Sequence, residues 1–266
     1  MDKERLDVLV TNLGFFDSRE AAKRAIMAGI VLVNNEPVDK PGTKVAVTSE
    51  IRIKGQVSPY VSRGGYKLEQ AIKEFKLDLT NKIIIDVGAS TGGFTDCALQ
   101  NGAKMAYAVD VGYNQLAWKL RQDERVISME RMNFRHMTAD DLTHGLPEFA
   151  CMDVSFISIK LLLPVLKELL TETGEIVALI KPQFEAGKAH VGKKGVVRDA
   201  KVHKMVITEI AEFCRAIELT PKGLAHSPIK GGVGNIEFLI HLGFNGDDVV
   251  DDNLIAMVVK NAHIGL

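Results

Sequence analysis

The sequence predicts an α/β chain in two parts: a small α+β module over residues 1–58, a linker over 59–66, and a larger part over 67–266 built on a mostly parallel sheet. Two observations predict the larger part. From Lys67 onward, short apolar runs alternate with helical patterns, as they do when parallel strands are joined by crossover helices. The run Ile83-Ile84-Ile85 then ends in Asp86 and opens through Val87-Gly88-Ala89-Ser90-Thr91-Gly92-Gly93-Phe94. Such a strand, loop and helix start lets a nucleotide-like ligand lie against bare backbone.

In the module, Leu6, Leu9, Val10 and Leu13 recur at helical spacing and Gly14 closes the helix. Asp17 and Glu20 have the form of a capping box for a second helix, with Ala22, Ala25, Ile26 and Gly29 as its buried stripe and Arg19, Lys23 and Arg24 opposite. Short strands follow at Val31-Leu32-Val33 and Ile51-Arg52-Ile53, with turns at Asn34-Asn35 and Pro41-Gly42. Beyond the linker, strands are expected up to Val87 and Val109, at Val126-Ile127, at Ala150-Cys151-Met152, over 176–180, near Leu224 and over 237–241. Helices are expected from Gly92, around 115–121, over 159–170 and over 201–216. In a sheet of this kind the ligand sits outside the carboxyl ends of the strands.

A chain of 266 residues with 46% hydrophobic and 25% charged residues buries an ordinary core. The charged start, Met1-Asp2-Lys3-Glu4-Arg5, is not that of a signal peptide. The longest apolar stretch, around 161–170, is broken by Pro164, Lys167 and Glu168, short of the ~18 apolar residues that cross a bilayer. A cytoplasmic protein without membrane partner is expected. Cys97, Cys151 and Cys214 are scattered and odd in number, so small buried side chains are expected rather than disulfides or zinc. Net charge is −1, but 181–204 holds seven Lys or Arg against Glu185 and Asp199. That segment is either a solvated face or a contact for an anionic partner.

Gly88 and Gly93 have the spacing of the outer glycines of a dinucleotide site, but Ser90 occupies the middle position, where a side chain obstructs a pyrophosphate. S-adenosylmethionine (SAM) has no phosphate to cradle, and its sulfonium and amino groups suit a carboxylate at a strand end. A second run, Ala106-Tyr107-Ala108-Val109, ends in Asp110, placed to accept ribose hydroxyls. The cofactor residues expected are Asp86, Gly88, Ser90, Gly92, Gly93, Phe94, Asp110 and Asp153, with Asn133 either at the adenine edge or a plain turn asparagine. Trp118 and Phe134 are expected in the core. The run Lys230-Gly231-Gly232-Val233-Gly234 is either a close approach to substrate or a turn.

The module resembles the S-four RNA-binding domain in Arg5-Leu6-Asp7, Ser18-Arg19-Glu20-Ala21, 26–34 and Lys40-Pro41-Gly42. That likeness implies RNA contacts from Arg19, Lys23 and Arg24. Lys67, Asp153, Lys181 and Glu237, the latter three near presumed strand ends, read Lys-Asp-Lys-Glu in chain order. This is similar to the tetrad of FtsJ-like RNA 2'-O-methyltransferases, on a Rossmann-like SAM-dependent methyltransferase sheet. With Ser62-Arg63-Gly64-Gly65, Asp110-Val111-Gly112-Tyr113, 153–158 and 181–185 also in place, the whole chain resembles the TlyA family. Members are often labelled hemolysin A, while the family's activity is 2'-O-methylation of cytidines in ribosomal RNA, 16S and/or 23S.

The resemblance implies SAM as cofactor, ribosomal RNA or ribosomal subunits as partner, no metal, and a monomer or weak dimer. Further RNA contacts are expected from Arg63, Lys188, Lys193, Lys194 and Arg198. A ribose hydroxyl is a poor nucleophile, so the protein must orient it and take its proton. Lys181 is the expected base, its pKa lowered by burial and by Lys67 as a second cation. Asp153 is expected to hold the Lys181 amine, and Glu237 to fix Lys67 and the ribose. The rival readings are a membrane-active hemolysin and a non-catalytic RNA-binding assembly factor.

Overall fold

The computed structural model describes residues 3–13, 15–16, 18–54, 58–231 and 233–265. Two units, Met1–Arg63 and Gly64–Leu266, each pack around their own core. The first comprises β1 (Lys3–Arg5), α1 (Leu6–Asn12), α2 (Arg19–Met27), β2 (Val31–Val33), β3 (Glu36–Pro37), β4 (Lys44–Ala46) and β5 (Ile51–Ile53). β1 pairs with β4, and β2 lies between β3 and β5, all antiparallel.

Leu6, Leu9 and Val10 of α1 meet Ala22, Ala25 and Ile26 of α2, as their spacing predicts, whereas Leu13, expected on the same stripe, caps the end of the helix and is exposed. The α2 cap is Ser18, whose hydroxyl accepts from the Ala21 amide at 3.2 Å. Asp17 and Gly14, expected as cap and stop, lie outside the described residues. Gly29 leaves the expected stripe because it follows the helix at φ +69°. Asn34 and Asn35 both take positive φ, +51° and +69°, as a two-residue type I′ hairpin turn requires.

The second unit opens with α3 (Gly64–Phe75), a helix absent from the sequence expectation and beginning within the stretch read as linker. Then come β6 (Ile83–Val87), α4 (Gly93–Gln100), β7 (Met105–Asp110), α5 (Trp118–Arg121), β8 (Val126–Glu130), β9 (Phe149–Met152), α6 (Leu163–Glu168) and β10 (Glu175–Ile180). The chain ends through α7 (Pro182–Glu185), α8 (Ala200–Ala216), β11 (Thr220–His226), β12 (Phe238–Gly243) and α9 (Asp252–Gly265). The seven strands run in the order β11-β12-β10-β9-β6-β7-β8, parallel from β10 to β8.

β12 runs antiparallel to both its neighbours, with Phe238 opposite Ile180. Its beginning therefore lies at the rim where the parallel strands end. This reversal brings Glu237 to the rim where β10 ends, within reach of Lys67 and Gln183, and no local sequence pattern announces it.

Three expectations are corrected. The helix expected over 159–170 is a 3-10 turn at Ile159–Leu161 followed by α6, because Pro164 has no amide hydrogen to donate and falls in a new first turn. Trp118 is 69% exposed rather than core, since the short α5 buries Leu120 instead. Phe134 is buried as expected, and so are the three free cysteines. The last strand starts at Phe238, which leaves Glu237 in the loop before it. No helix among the described residues is long and apolar enough to cross a membrane.

Candidate active site

A cleft of about 350 Å³ opens at the carboxyl ends of β6, β7 and β9, within the ~300–1,000 Å³ of small-molecule sites. Gly88, Ser90, Asp110, Asn133 and Asp153 line it, with the apolar Met132 and Phe134. Gly88 stands at φ +85°, and a Cβ there would lie 2.7 Å from the Asp153 carbonyl oxygen. Only glycine lets the β6 and β9 loops approach so closely. Asp110 is held by backbone: its Oδ2 accepts from the Ser90 amide at 2.8 Å and its Oδ1 from the Gly112 amide at 2.7 Å. A carboxylate has about four lone-pair sites, so both oxygens retain capacity for ligand hydroxyls. Asn133 Oδ1 accepts from the Arg135 amide at 3.2 Å, which caps a 3-10 turn, and the residue still borders the cleft.

Asp86, Gly92, Gly93 and Phe94 do not line the cleft; they shape its loop from below. Asp86 is 1% exposed, and its Oδ2 accepts from the Thr95 amide at 2.9 Å and the Thr95 hydroxyl at 2.6 Å, pinning the start of α4. Its Oδ1 has no hydrogen-bond partner. Burial pushes this carboxyl up to about 7, against the lowering by Thr95. Gly92, at φ +95°, leaves room for Leu120, whose Cδ1 would sit 2.2 Å from an added Cβ.

Lys67, Asp153, Lys181 and Glu237 meet in one chain of alternating charge. Lys67 Nζ donates to Glu237 Oε2 at 2.9 Å and to Asp153 Oδ2 at 3.0 Å. Lys181 Nζ stands 2.5 Å from Asp153 Oδ1 as an ion pair off the hydrogen-bond direction, and donates to Ser155 Oγ at 3.0 Å. Gln183 Nε2 donates to the remaining Glu237 oxygen at 3.2 Å. Lys67, Lys181 and Glu237 are all buried.

Burial pulls the Lys67 ammonium down, but Asp153 and Glu237 outweigh it and hold its pKa above the ordinary value. Burial pushes Asp153 up, yet Lys67 and Lys181 together hold it below the ordinary carboxylate value. Lys67 therefore serves two carboxylates, and Asp153 stands between the two amines, so Lys67 does not face Lys181 as an unpaired cation. The glycine-rich run has a steric reason as well: a Cβ on Gly231 would lie 2.2 Å from Glu237 Oε1.

Sequence reasoning missed Phe156, which is 90% exposed at φ +64° on the cleft rim, with its ring 5.0 Å from that of Phe184. Only an exposed aromatic in a left-handed conformation marks it, and neither property is local in sequence. The RNA candidates divide. Arg19 bonds buried Asp7 at 2.8 Å and Lys23 bonds Glu20 at 2.6 Å, while Arg24 is exposed. Arg63, Lys188, Lys193, Lys194 and Arg198 are exposed, the last four on the segment that follows Lys181 and α7.

The sequence profile of the FtsJ-like methyltransferases matches residues 60–244, and that of the S4 domain matches residues 4–51. YqxC of Bacillus subtilis, named as an rRNA methyltransferase, is 58% identical over 98% of this chain and 94% of its own. The 16S/23S rRNA (cytidine-2'-O)-methyltransferase TlyA of Mycobacterium tuberculosis is 37% identical over 90% of each chain. A solved structure from Streptococcus thermophilus, of a protein named as a hemolysin, superposes with a TM-score of 0.82 at 52% identity over 100% of this chain and 97% of its own. The chain belongs to the FtsJ-like methyltransferases of the TlyA type, in which an S4 domain precedes the methyltransferase domain.

Proposed function

We propose that the protein transfers a methyl group from SAM to the ribose 2'-hydroxyl of cytidine in ribosomal RNA, as a soluble cytoplasmic enzyme. The observation that carries this reading is the Glu237–Lys67–Asp153–Lys181 chain at the mouth of the cleft. The cleft residues fit SAM. Asp110 would take the ribose hydroxyls, Met132 and Phe134 would give adenine an apolar wall, and Asp153 would border the methionine end; all four line the cleft. Bound there, SAM supplies an activated methyl on a sulfonium.

The protein's part is positioning and proton removal. Lys181, in its free-base form, accepts the 2'-hydroxyl proton; Asp153 fixes the amine from one side and Ser155 from the other. Lys67 keeps Asp153 ionised and aligned, and Glu237 keeps Lys67 in place. Phe156 offers an exposed ring face beside this group, suited to a nucleobase lifted out of its stack. The exposed Lys188, Lys193, Lys194 and Arg198 suit the phosphates of the same strand.

The test is methyl transfer from labelled SAM to purified ribosomal subunits and their RNA, with the modified nucleotides mapped. A ribose-methylated cytidine is expected. Label on a base, or none on RNA, overturns the reading. Leakage of dye-loaded liposomes at comparable protein concentration would instead favour the hemolysin reading.

A further inference from the structure

Asn235 is 1% exposed and precedes Glu237 by two residues. Its side chain reaches across to the basic segment at two points: Oδ1 accepts from the Val197 amide at 2.9 Å, and Nδ2 donates to the Gly195 carbonyl at 2.9 Å. Only a carboxamide supplies an acceptor and a donor side by side in this way. The residues it grips belong to a tight turn, closed by the Gly195 amide on the Gly192 carbonyl at 2.8 Å and the Gly192 amide on the Val196 carbonyl at 3.1 Å. Lys193 and Lys194 are the exposed tip of that turn.

On its own side, Asn235 is equally fixed. Its carbonyl accepts from the Gly231 amide at 2.9 Å, and the Ser227 amide donates to the Glu237 carbonyl at 2.8 Å. Gly231 in turn lies against the Glu237 carboxylate. The far side of the turn is braced as well, since Val197 is 2% exposed and its carbonyl stands 3.2 Å from His203 Nε2 on α8.

We infer that Asn235 is a positioning residue that locks the Lys193-Lys194 turn to the loop carrying Glu237, so that a phosphate held by the turn is in register with the tetrad. The inference rests on the proposed RNA methyl transfer. A buried polar bridge of this kind is rigid because breaking it strands a donor and an acceptor away from water. RNA caught by the two lysines is therefore delivered at a fixed distance from Lys67, Glu237 and their partners. If the turn swung freely, the lysines would attract RNA without orienting its ribose.

The test is a double-mutant cycle on the full chain, crossing Asn235→Ala with the pair Lys193→Gln and Lys194→Gln, read as kcat and KM for the RNA substrate. SAM affinity and Tm serve as checks on the fold. Asn235→Ala alone is expected to lower kcat/KM by ~10-fold, mostly in kcat, and by less than ~3-fold when the turn lysines are absent, the behaviour of residues acting through a shared network. Equal factors in both backgrounds would show a merely structural amide and overturn the inference. Where Asn235→Ala melts early, Asn235→Ser takes its place in the cycle: a hydroxyl keeps a polar group at the position but is too short to span both the Val197 amide and the Gly195 carbonyl. Failure of the unmodified protein to methylate RNA overturns the functional reading itself, an outcome distinct from an additive cycle in an active enzyme.

Discussion

Asp7 in the N-terminal unit and Asp153 in the cleft are both carboxylates gripped by two basic side chains, and the choice of base separates their purposes. Asp7 is fully buried and takes Arg5 at 3.0 Å and Arg19 at 2.8 Å. Burial pushes its carboxyl up, but the two guanidinium groups win and hold it at about 2. A guanidinium stays protonated at any physiological pH and fits a carboxylate in a fixed fork, so this cluster is a clamp. Asp153 has two lysines instead, each a compact ammonium on a flexible stem with rotatable donors rather than a planar fork. Like charge counts thus give a rigid fork-and-carboxylate joint in one unit and, in the other, a chain of adjustable amines at the site proposed for proton removal.

The comparison breaks most visibly at Lys181. Lys181→Ala is expected to slow single-turnover methylation by ~10² to 10⁴, the usual contribution of a general base, while SAM and RNA still bind. Lys181→Arg should not restore the rate, because a guanidinium makes the cleft resemble the Asp7 clamp. A rate near wild type in the Arg variant would assign Lys181 the role of a fixed charge.

Asp86 extends the comparison to a buried carboxyl with no cation at all. Its folded pKa of about 7 lies above the ~3.9 of an unfolded aspartate. Between those values the folded state binds more protons, so stability falls as pH rises from about 4 to about 7. Asp86→Asn should remove that fall, worth up to about 4 kcal/mol, in urea unfolding followed at pH 4 and pH 8. Parallel pH profiles for the two proteins would refute the assignment.

At Asp7 the sign is opposite, because the folded pKa is depressed. Its contribution is complete above about pH 4 and lost as pH falls through about 2. Asp7→Ala should destabilise the N-terminal unit by about 1 kcal/mol at neutral pH through the lost ion pairs, since water reaches the half-exposed guanidinium groups again, and leave SAM affinity unchanged. Unaltered urea unfolding of that unit would show that the clamp carries no weight. Asp110, held by amides rather than cations, should act on ligand alone: Asp110→Ala weakens SAM by ~1 to 3 kcal/mol in calorimetry, and unchanged affinity would mean the adenosine lies elsewhere.

The smallest effect concerns Arg19, whose charge is shared with Asp7. If the α2 face meets RNA, changing Arg19, Lys23 and Arg24 to Gln lowers the salt slope by ~0.9 for each phosphate no longer neutralised. Because Arg19 pairs with Asp7 and Lys23 with Glu20, the expected change corresponds to one phosphate rather than three. A slope that does not change would move the RNA face away from α2.

Much of this molecule is local in its chain. The alternation of apolar runs with helical stretches specified a parallel sheet, because each strand and each covering helix must bury its own stripe. The loop after Ile85 and the acids at Asp86, Asp110 and Asp153 marked the ends of strands, so the rim that carries the cleft was legible in the chain alone. The four tetrad members were legible as types. Two of their pairings, Asp153 with Lys181 and Glu237 with Lys67, were expected as well, whereas the Lys67–Asp153 contact was not, and Lys67 sits on a helix that was not expected from the sequence, although Leu68, Ala71, Ile72 and Phe75 have helical spacing. The acidic approach to α9 concealed that helix in the same way.

The sequence by itself determined which elements form and which ionisable residues fall near their ends, since hydrophobic period, caps and glycines act over a few residues. Only the tertiary structure decided the distances between the paired groups and the contacts that join one pair to the next, such as Lys67 with Asp153. The reversed strand β12, in register with β10, carries Glu237 to Lys67 and Asn235 to the Lys193-Lys194 turn, contacts that span 170 and 38 residues of chain. The same packing put Asp86 under the cofactor loop instead of in the cleft, and left Trp118 and Phe156 exposed. Burial and ion pairing depend on distances between elements, and a one-dimensional pattern holds no distance longer than its own period.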